Sequence, residues 1–299
     1  MSGAVVVVLN ALTLISILAL VAIGLAIVFG MMDVMNLAHG EFVTIGAYTL
    51  SFVQAARWML PPETAYWVAL VLAPLIGALV GLIIEWAVIR RLYHRPLDTI
   101  LATFGISLIL QKLIELSFGA LPQVVVAPVS GMVDLFGAHY PAYRFLIIAL
   151  GGLVIAATLA AFRWTQFGVD LRAVIQNRAM AESLGIDAKR LTRIAFAGGS
   201  ALASLAGVLL APLASVETHL GTFYIGKAFF VVILGGIGSV LGSVAGSVLV
   251  GGAETLLNYE LDPSLASALV LALAIVLVRL RPRGIVPGYS AAHELLGKG

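Results

Sequence analysis

From Val5 to Phe29 the chain runs without a charged side chain for longer than the ~20 residues a helix needs to cross a bilayer. Further apolar stretches follow over Phe42 to about Ala55, Tyr66 to Ile89, Thr99 to Phe118, Tyr143 to Phe162 and Ile194 to about Ser215. After these come Gly226 to Leu257 and a last span that closes over Leu269 to Leu280. Hydrocarbon offers the backbone no water to bond, so a spanning segment must satisfy its own amides and carbonyls, and runs of this length do so as helices. The expected fold class is an all-α polytopic membrane protein of about eight membrane segments, including broken or re-entrant helices. Composition agrees, with 61% hydrophobic and 11% charged residues where a soluble domain carries about 25% charged. The first run lacks the basic flank of a cleaved signal and is too long for one, so it is expected to be the first helix. The chain has no cysteine, which excludes disulfides, thiolate metal sites and a Cys nucleophile.

The basic residues orient this array. Arg90, Arg91 and Arg95 form one cluster, and Arg279, Arg281 and Arg283 another. The longest polar interval, Arg163 to Arg193, holds Arg163, Arg172, Arg178, Lys189, Arg190 and Arg193 against Asp170, Glu182 and Asp187. Short loops rich in Lys and Arg stay on the cytosolic side, so all three clusters are assigned there. That topology accounts for the net charge of +2 without any nucleic acid. The interval Gly119 to Ala142 carries no Lys or Arg and is assigned to the outer face. Inside the long basic loop, Asn177 to Leu184 reads as a short helix with Met180 and Leu184 on one face and Gly185 to stop it. So short a helix is unstable alone, and it either packs on its own protein or docks into a partner.

Two interruptions stand out. Between the first two apolar runs, Asp33, Asn36, His39 and Glu41 cluster with Gly40 and Ala38. This reads either as a solvent-exposed turn or as a broken helix whose N-terminal amides line a cavity. In the second half, Gly226 to Leu257 must leave and return to the same side, yet it is too long for one span and too short for two. The economical solution is a re-entrant segment bent at Gly235, Gly236, Gly238 and Gly242, since irregular backbone at membrane depth survives only inside protein or along a water-filled cavity. A single tilted helix with an external C-terminus is the competing reading.

Other charged residues have plainer expectations. Glu85 is placed to reach Arg90 or lipid headgroups, and Lys112 and Glu115 to pair on one helix face. Gly221 to Lys227 spells the start of a phosphate-binding loop, but Ala228 stands where a magnesium-holding Ser or Thr belongs, and the sequence around it is apolar. No nucleotide is assigned there.

Three motifs together resemble the permease subunits of ABC importers of the branched-chain amino acid type. They are Asn36-Leu37-Ala38-His39-Gly40-Glu41, Ala181-Glu182-Ser183-Leu184-Gly185-Ile186 and Leu234-Gly235-Gly236-Ile237-Gly238-Ser239, with Pro282-Arg283-Gly284 fitting near the end. The stretch from Arg95 to Leu108 looks closer to the branch that carries urea and short-chain amides. The resemblance implies a permease domain over residues 1–284, with a cytosolic coupling loop at 163–193 and a short cytosolic tail at 285–299. It also implies a multi-pass place in the bacterial inner membrane, among lipid. The implied partners are a second related permease, two cytosolic ATPases and an extracytoplasmic substrate-binding protein, with ATP and magnesium held by the ATPases and no cofactor on this chain. In such permeases an EAA-like loop docks in the ATPase; here that role would fall to Asn177, Ala181, Glu182, Ser183, Leu184 and Gly185, with Ser183 departing from the usual second Ala. Asn36, Ala38, His39, Gly40, Glu41, Gly235, Gly236, Gly238 and Gly242 are the candidate pathway residues. A proton-coupled carrier or channel using His39, Glu41, Lys112 and Glu115 is the alternative from a different class.

Overall fold

The computed structural model describes residues 2–32, 34–56, 60–93, 95–135, 137–281 and 284–286. Asp33, Pro282, Arg283 and nearly all of the expected tail lie outside the described residues. Eleven α-helices are present among them: α1 (Ser2–Met32), α2 (His39–Ala55), α3 (Pro62–Ala87), α4 (Pro96–Phe118), α5 (Ala142–Trp164), α6 (Gln166–Gln176), α7 (Arg178–Ser183), α8 (Ala188–Leu210), α9 (Leu220–Gly235), α10 (Val240–Glu260) and α11 (Pro263–Leu280). Seven of them (α1, α3, α4, α5, α8, α10 and α11) are long and apolar enough to cross a membrane. The two interruptions fall beside two shorter helices, α2 and α9.

Helix boundaries follow local chemistry. Pro62, Pro96 and Pro263 sit in the first turns of α3, α4 and α11, where a missing amide costs nothing. The helices of the basic loop are each capped by a side chain: Thr165 for α6, Asn177 for α7 and Asp187 for α8. Ser239 does the same for α10.

At the centre lies α1, buried on every side from Ser16 to Val28. An all-round apolar helix belongs in an interior, and α5, α8, α9 and α10 surround it. Lipid removes most of the hydrophobic drive between helices, so close packing at small residues must hold them together. A methyl on Gly46 would fall onto the Ser204 carbonyl, and one on Gly207 onto the Val43 carbonyl. Gly77 and Gly81 of α3 admit Ser204 and Ser200 of α8 in the same way. By contrast α4 and α11 turn many large apolar side chains outward.

The segment assigned outside ties the helix ends together. Gln54 donates to the Val126 carbonyl at 2.8 Å and accepts from the Val126 amide at 2.9 Å. Gln123 and Val216 exchange backbone hydrogen bonds, and Tyr143 bridges Tyr66 to the Leu209 carbonyl. It also contains a two-stranded antiparallel hairpin, β1 (Met132–Leu135) and β2 (Ala138–Pro141), which the sequence had not suggested.

Two expectations need correction. The returning segment starts at Leu220, not Gly226, because α9 is extended where Gly221 packs on Gly40. With that extension α9 and α10 form an antiparallel pair, and α10 alone is long enough to span. Glu85 turns inward to the Tyr93 hydroxyl at 2.5 Å rather than to Arg90 or headgroups. The Gly221–Lys227 motif, to which no nucleotide was assigned, is part of α9, and its lysine pairs with Glu254 of α10 at 2.5 Å.

Candidate functional site

The first interruption folds into a compact turn. Asn36 Oδ1 accepts from the Ala38 amide at 3.1 Å, His39 N donates to the Asn36 carbonyl at 3.3 Å and Glu41 N to the Ala38 carbonyl at 3.1 Å. The amides expected to be exposed at this helix start are therefore taken up largely by the turn itself. The side chains, not the backbone, supply its polar surface.

His39 is fully buried, and its Nε2 donates to the Val21 carbonyl at 3.2 Å. A carbonyl can only accept, so Nε2 is the protonated nitrogen. Val21 lies about 16 Å along α1 from its Met32 end, so α2 begins deep in the helix array. An exposed turn is thereby ruled out in favour of the broken helix. Phe42 meets the imidazole edge-on and in turn meets Phe196.

Glu41 is 1% exposed. Its Oε1 accepts from Ser107 Oγ at 2.8 Å and Gln111 Nε2 at 2.7 Å. Gln111 also reaches Thr222 of α9 at 3.3 Å, and Thr103 accepts from the Leu37 amide at 3.2 Å. On α4, therefore, Thr99, Thr103, Ser107 and Gln111 recur every fourth residue and are all buried, while Leu101, Phe104, Leu108 and Leu116 face out. This helix carries its polar stripe inward and its apolar face outward. The stripe was missed in the sequence; its signal is the four-residue spacing of uncharged polar residues within an apolar run.

The local accounting is incomplete. Asn36 Nδ2, His39 Nδ1 and Glu41 Oε2 are buried without a hydrogen-bond partner among the described residues. Leaving a buried polar group unpaired costs about 1–3 kcal/mol. Three such groups within six residues form a donor and two acceptors, a local surplus of hydrogen-bonding capacity. Gly40 and Gly221 pack against each other beside them, and Thr44 Oγ1 accepts the Gly221 amide at 3.0 Å.

The second interruption has different neighbours. Gly236 and Gly238 adopt φ of 111° and 74°, the left-handed region that favours glycine. Gly235 and Gly242 lie backbone against backbone, and Gly238 packs on Gly30 of α1 and Ile175 of α6. Ile285 and Val286 donate their amides to the Leu234 and Gly235 carbonyls, strapping the bend from outside. A cavity of about 230 Å³ adjoins it on the α5–α6 side, with Arg163, Arg172, Ser239 and Val240 in its wall. None of these contacts involves Asn36 to Glu41, so the structure does not bring the two interruptions together.

In the basic loop, Asn177 caps α7 through Met180 N at 3.0 Å. Ala181 is buried against the protein, whereas Met180 and Leu184 are 59% and 72% exposed. Ser183 is exposed, and Gly185 ends the turn at φ 88°. Glu182 pairs with Arg178 at 3.2 Å. Arg178 also stacks its guanidinium over the Tyr93 ring, 5.3 Å from the centroid. Lys112 and Glu115 form the expected pair, at 2.6 Å on the exposed side of α4, away from its polar stripe.

Comparison with known proteins places these features in a family. Residues 7–278 match the family model described as "Branched-chain amino acid transport system / permease component". The chain is 33% identical over 290 residues to the high-affinity branched-chain amino acid transport system permease protein LivH of Escherichia coli strain K12, covering 93% of each chain. It is 28% identical to the corresponding protein BraD of Pseudomonas aeruginosa, over 93% of this chain and 94% of that one. It is 25% identical to the permease protein LivM of Salmonella typhimurium, over 92% of this chain and 69% of that protein. No solved structure matches the chain.

Proposed function

The chain belongs to the family of branched-chain amino acid transport system permease components, and from that premise we propose that it is one of two related permeases in an ATP-driven importer of branched-chain amino acids. It is a multi-pass protein of the bacterial inner membrane and a transport subunit. The observation that carries the proposal is the match over residues 7–278, nearly the whole helical array. Similarity to both LivH and LivM supports a second, related permease beside it. Two cytosolic ATPases holding ATP and magnesium, and an extracytoplasmic binding protein, complete the assembly; this chain itself holds no cofactor.

In this reading, solute passes along the first interruption. Asn36 Nδ2 offers a donor to a carboxylate, while Glu41 Oε2 and His39 Nδ1 offer acceptors to an ammonium group. Thr103, Ser107, Gln111 and Thr222 continue the polar wall, and Gly40 lets backbone approach the solute closely. Gly235, Gly236, Gly238 and Gly242 contribute as the stiff joint between α9 and α10 rather than as solute contacts. Met180 and Leu184 form the apolar face that seats α7 in an ATPase, with Ala181 anchoring the helix to its own protein and Glu182, Ser183 and Gly185 shaping the docking turn. The hairpin segment meets the binding protein.

A second reading keeps the assembly and changes the cargo to urea or a short-chain amide. The uncharged stripe on α4 favours it, since such solutes need hydrogen bonds without charge neutralisation. Both readings are tested with the reconstituted importer in vesicles. ATP-dependent accumulation of leucine, isoleucine or valine supports the first, and accumulation of urea or acetamide alone supports the second. Uptake driven by a proton gradient without the ATPases would overturn both and restore the self-powered carrier. Glu182→Lys is expected to leave the assembled importer hydrolysing ATP with about tenfold less solute moved per ATP; an unchanged ratio would remove the coupling role of α7.

A further inference from the structure

Glu85 and Tyr93 lie outside the pathway, yet they make the tightest polar contact at the cytosolic end of α3. Glu85 is 1% exposed and accepts the Tyr93 hydroxyl through Oε1 at 2.5 Å. Its other oxygen has no partner among the described residues. A buried carboxylate held mainly by one phenol depends on that phenol's position. Tyr93 follows a short 3₁₀ turn (Ile89–Arg91), and its chain is pinned by the Leu92 amide bonding to the Ile89 carbonyl. Burial, then the hydrogen bond to Glu85, push the Tyr93 phenol well above its ordinary range. It therefore remains a donor across the physiological pH range.

The outer face of the same ring carries the Arg178 guanidinium. Arg178 opens α7 and is bonded to Glu182 one turn later. An aromatic residue at this level would ordinarily anchor in the headgroup region. Here the ring is instead sandwiched between a membrane helix and the short cytosolic helix. One turn before Glu85, Gly81 of α3 packs on Ser200 of α8, so a pull on Glu85 acts on two packed helices together.

We infer that Tyr93 is a positioning residue that links α7 to α3, passing movement of the cytosolic helix from Arg178 through the ring to Glu85. The inference rests on the proposed docking of α7 to an ATPase. The ring stack tolerates sliding of the guanidinium, while the short charge-assisted bond resists stretching. The contact thus behaves as a hinge at one face and a tether at the other.

The test uses the whole importer in proteoliposomes, reading solute moved per ATP hydrolysed alongside co-purification of the ATPase. Tyr93→Phe keeps the ring under Arg178 and removes only the tether. It is expected to lower the ratio about fivefold, with ATPase binding and hydrolysis unchanged. Glu85→Gln retains an acceptor oxygen and is expected to stay close to the parent ratio, whereas Glu85→Leu should match Tyr93→Phe. Combining Tyr93→Phe with Glu85→Leu should cost no more than either alone. A parent-like ratio for Tyr93→Phe, with Glu182→Lys uncoupled, would overturn this inference alone. If both variants transport normally, the docking role of α7 falls with it.

Discussion

The two interruptions are made from similar material, glycines beside small or polar residues, and they become opposites. At the second, between α9 and α10, no buried side-chain polar atom lacks a partner among the described residues. Glycine backbones touch, Ser239 caps α10, Ser243 and Ser247 donate to carbonyls of their own helix, and residues 285 and 286 close the outside. At the first, before α2, three buried polar atoms remain unpaired, and α4 presents a polar stripe to them. A break in a membrane helix is therefore not in itself a passage. What faces it decides: packed backbone makes a joint, while spare hydrogen-bonding capacity is what the proposed passage requires.

The comparison can be broken from either side. The largest effect is expected at the joint. Gly242→Leu drives a side chain into the Gly235 carbonyl, an overpacking that costs about 1–3 kcal/mol or more. The expected outcome is a large loss of folded permease from the membrane, read by quantitative immunoblot and size-exclusion chromatography. A normally abundant but transport-dead protein would instead make the joint part of the passage. Next is Glu41→Leu, which strands Ser107 and Gln111 without their shared acceptor. Uptake should fall at least about tenfold while most of the protein still inserts and assembles. Smaller still is Thr103→Val, which removes the acceptor of the Leu37 amide. It should lower uptake by about fivefold, the equivalent of one hydrogen bond of about 1 kcal/mol. Ser247→Ala, deleting a bond internal to α10, is expected to change uptake by less than twofold.

Much of this architecture was legible in the sequence because bilayer thickness dictates run length. The runs ending at Phe118 and beginning near Tyr143 match helix boundaries within a few residues. The short helix α7 was placed by the spacing of Met180 and Leu184 and by the Gly185 that stops it. Tertiary events were hidden. Gly221 sits in α9 because Gly40 receives it, and Glu85 turns inward because Tyr93 loops back; neither is visible from local pattern. At the candidate site, Asn36, His39 and Glu41 were recognised as ionisable or polar groups where none belongs. The opposing wall was not, since Thr and Ser within an apolar helix are commonly absorbed by bonds to their own backbone. Only the fold reveals that Ser107 and Gln111 are spent on Glu41 instead.

The absence of cysteine from the parent chain makes the central contrast directly measurable with single-cysteine variants. Ser107 and Ser243 are both buried serines on membrane helices, one facing each interruption, so they differ in the predicted surroundings rather than in exposure. In the working importer, Ser107→Cys should react with a small hydrophilic thiol reagent during ATP turnover and be protected when transported solute is in excess. Ser243→Cys should stay inert in every nucleotide state. Equal reactivity at the two positions, or labelling of Ser243→Cys alone, would contradict the account.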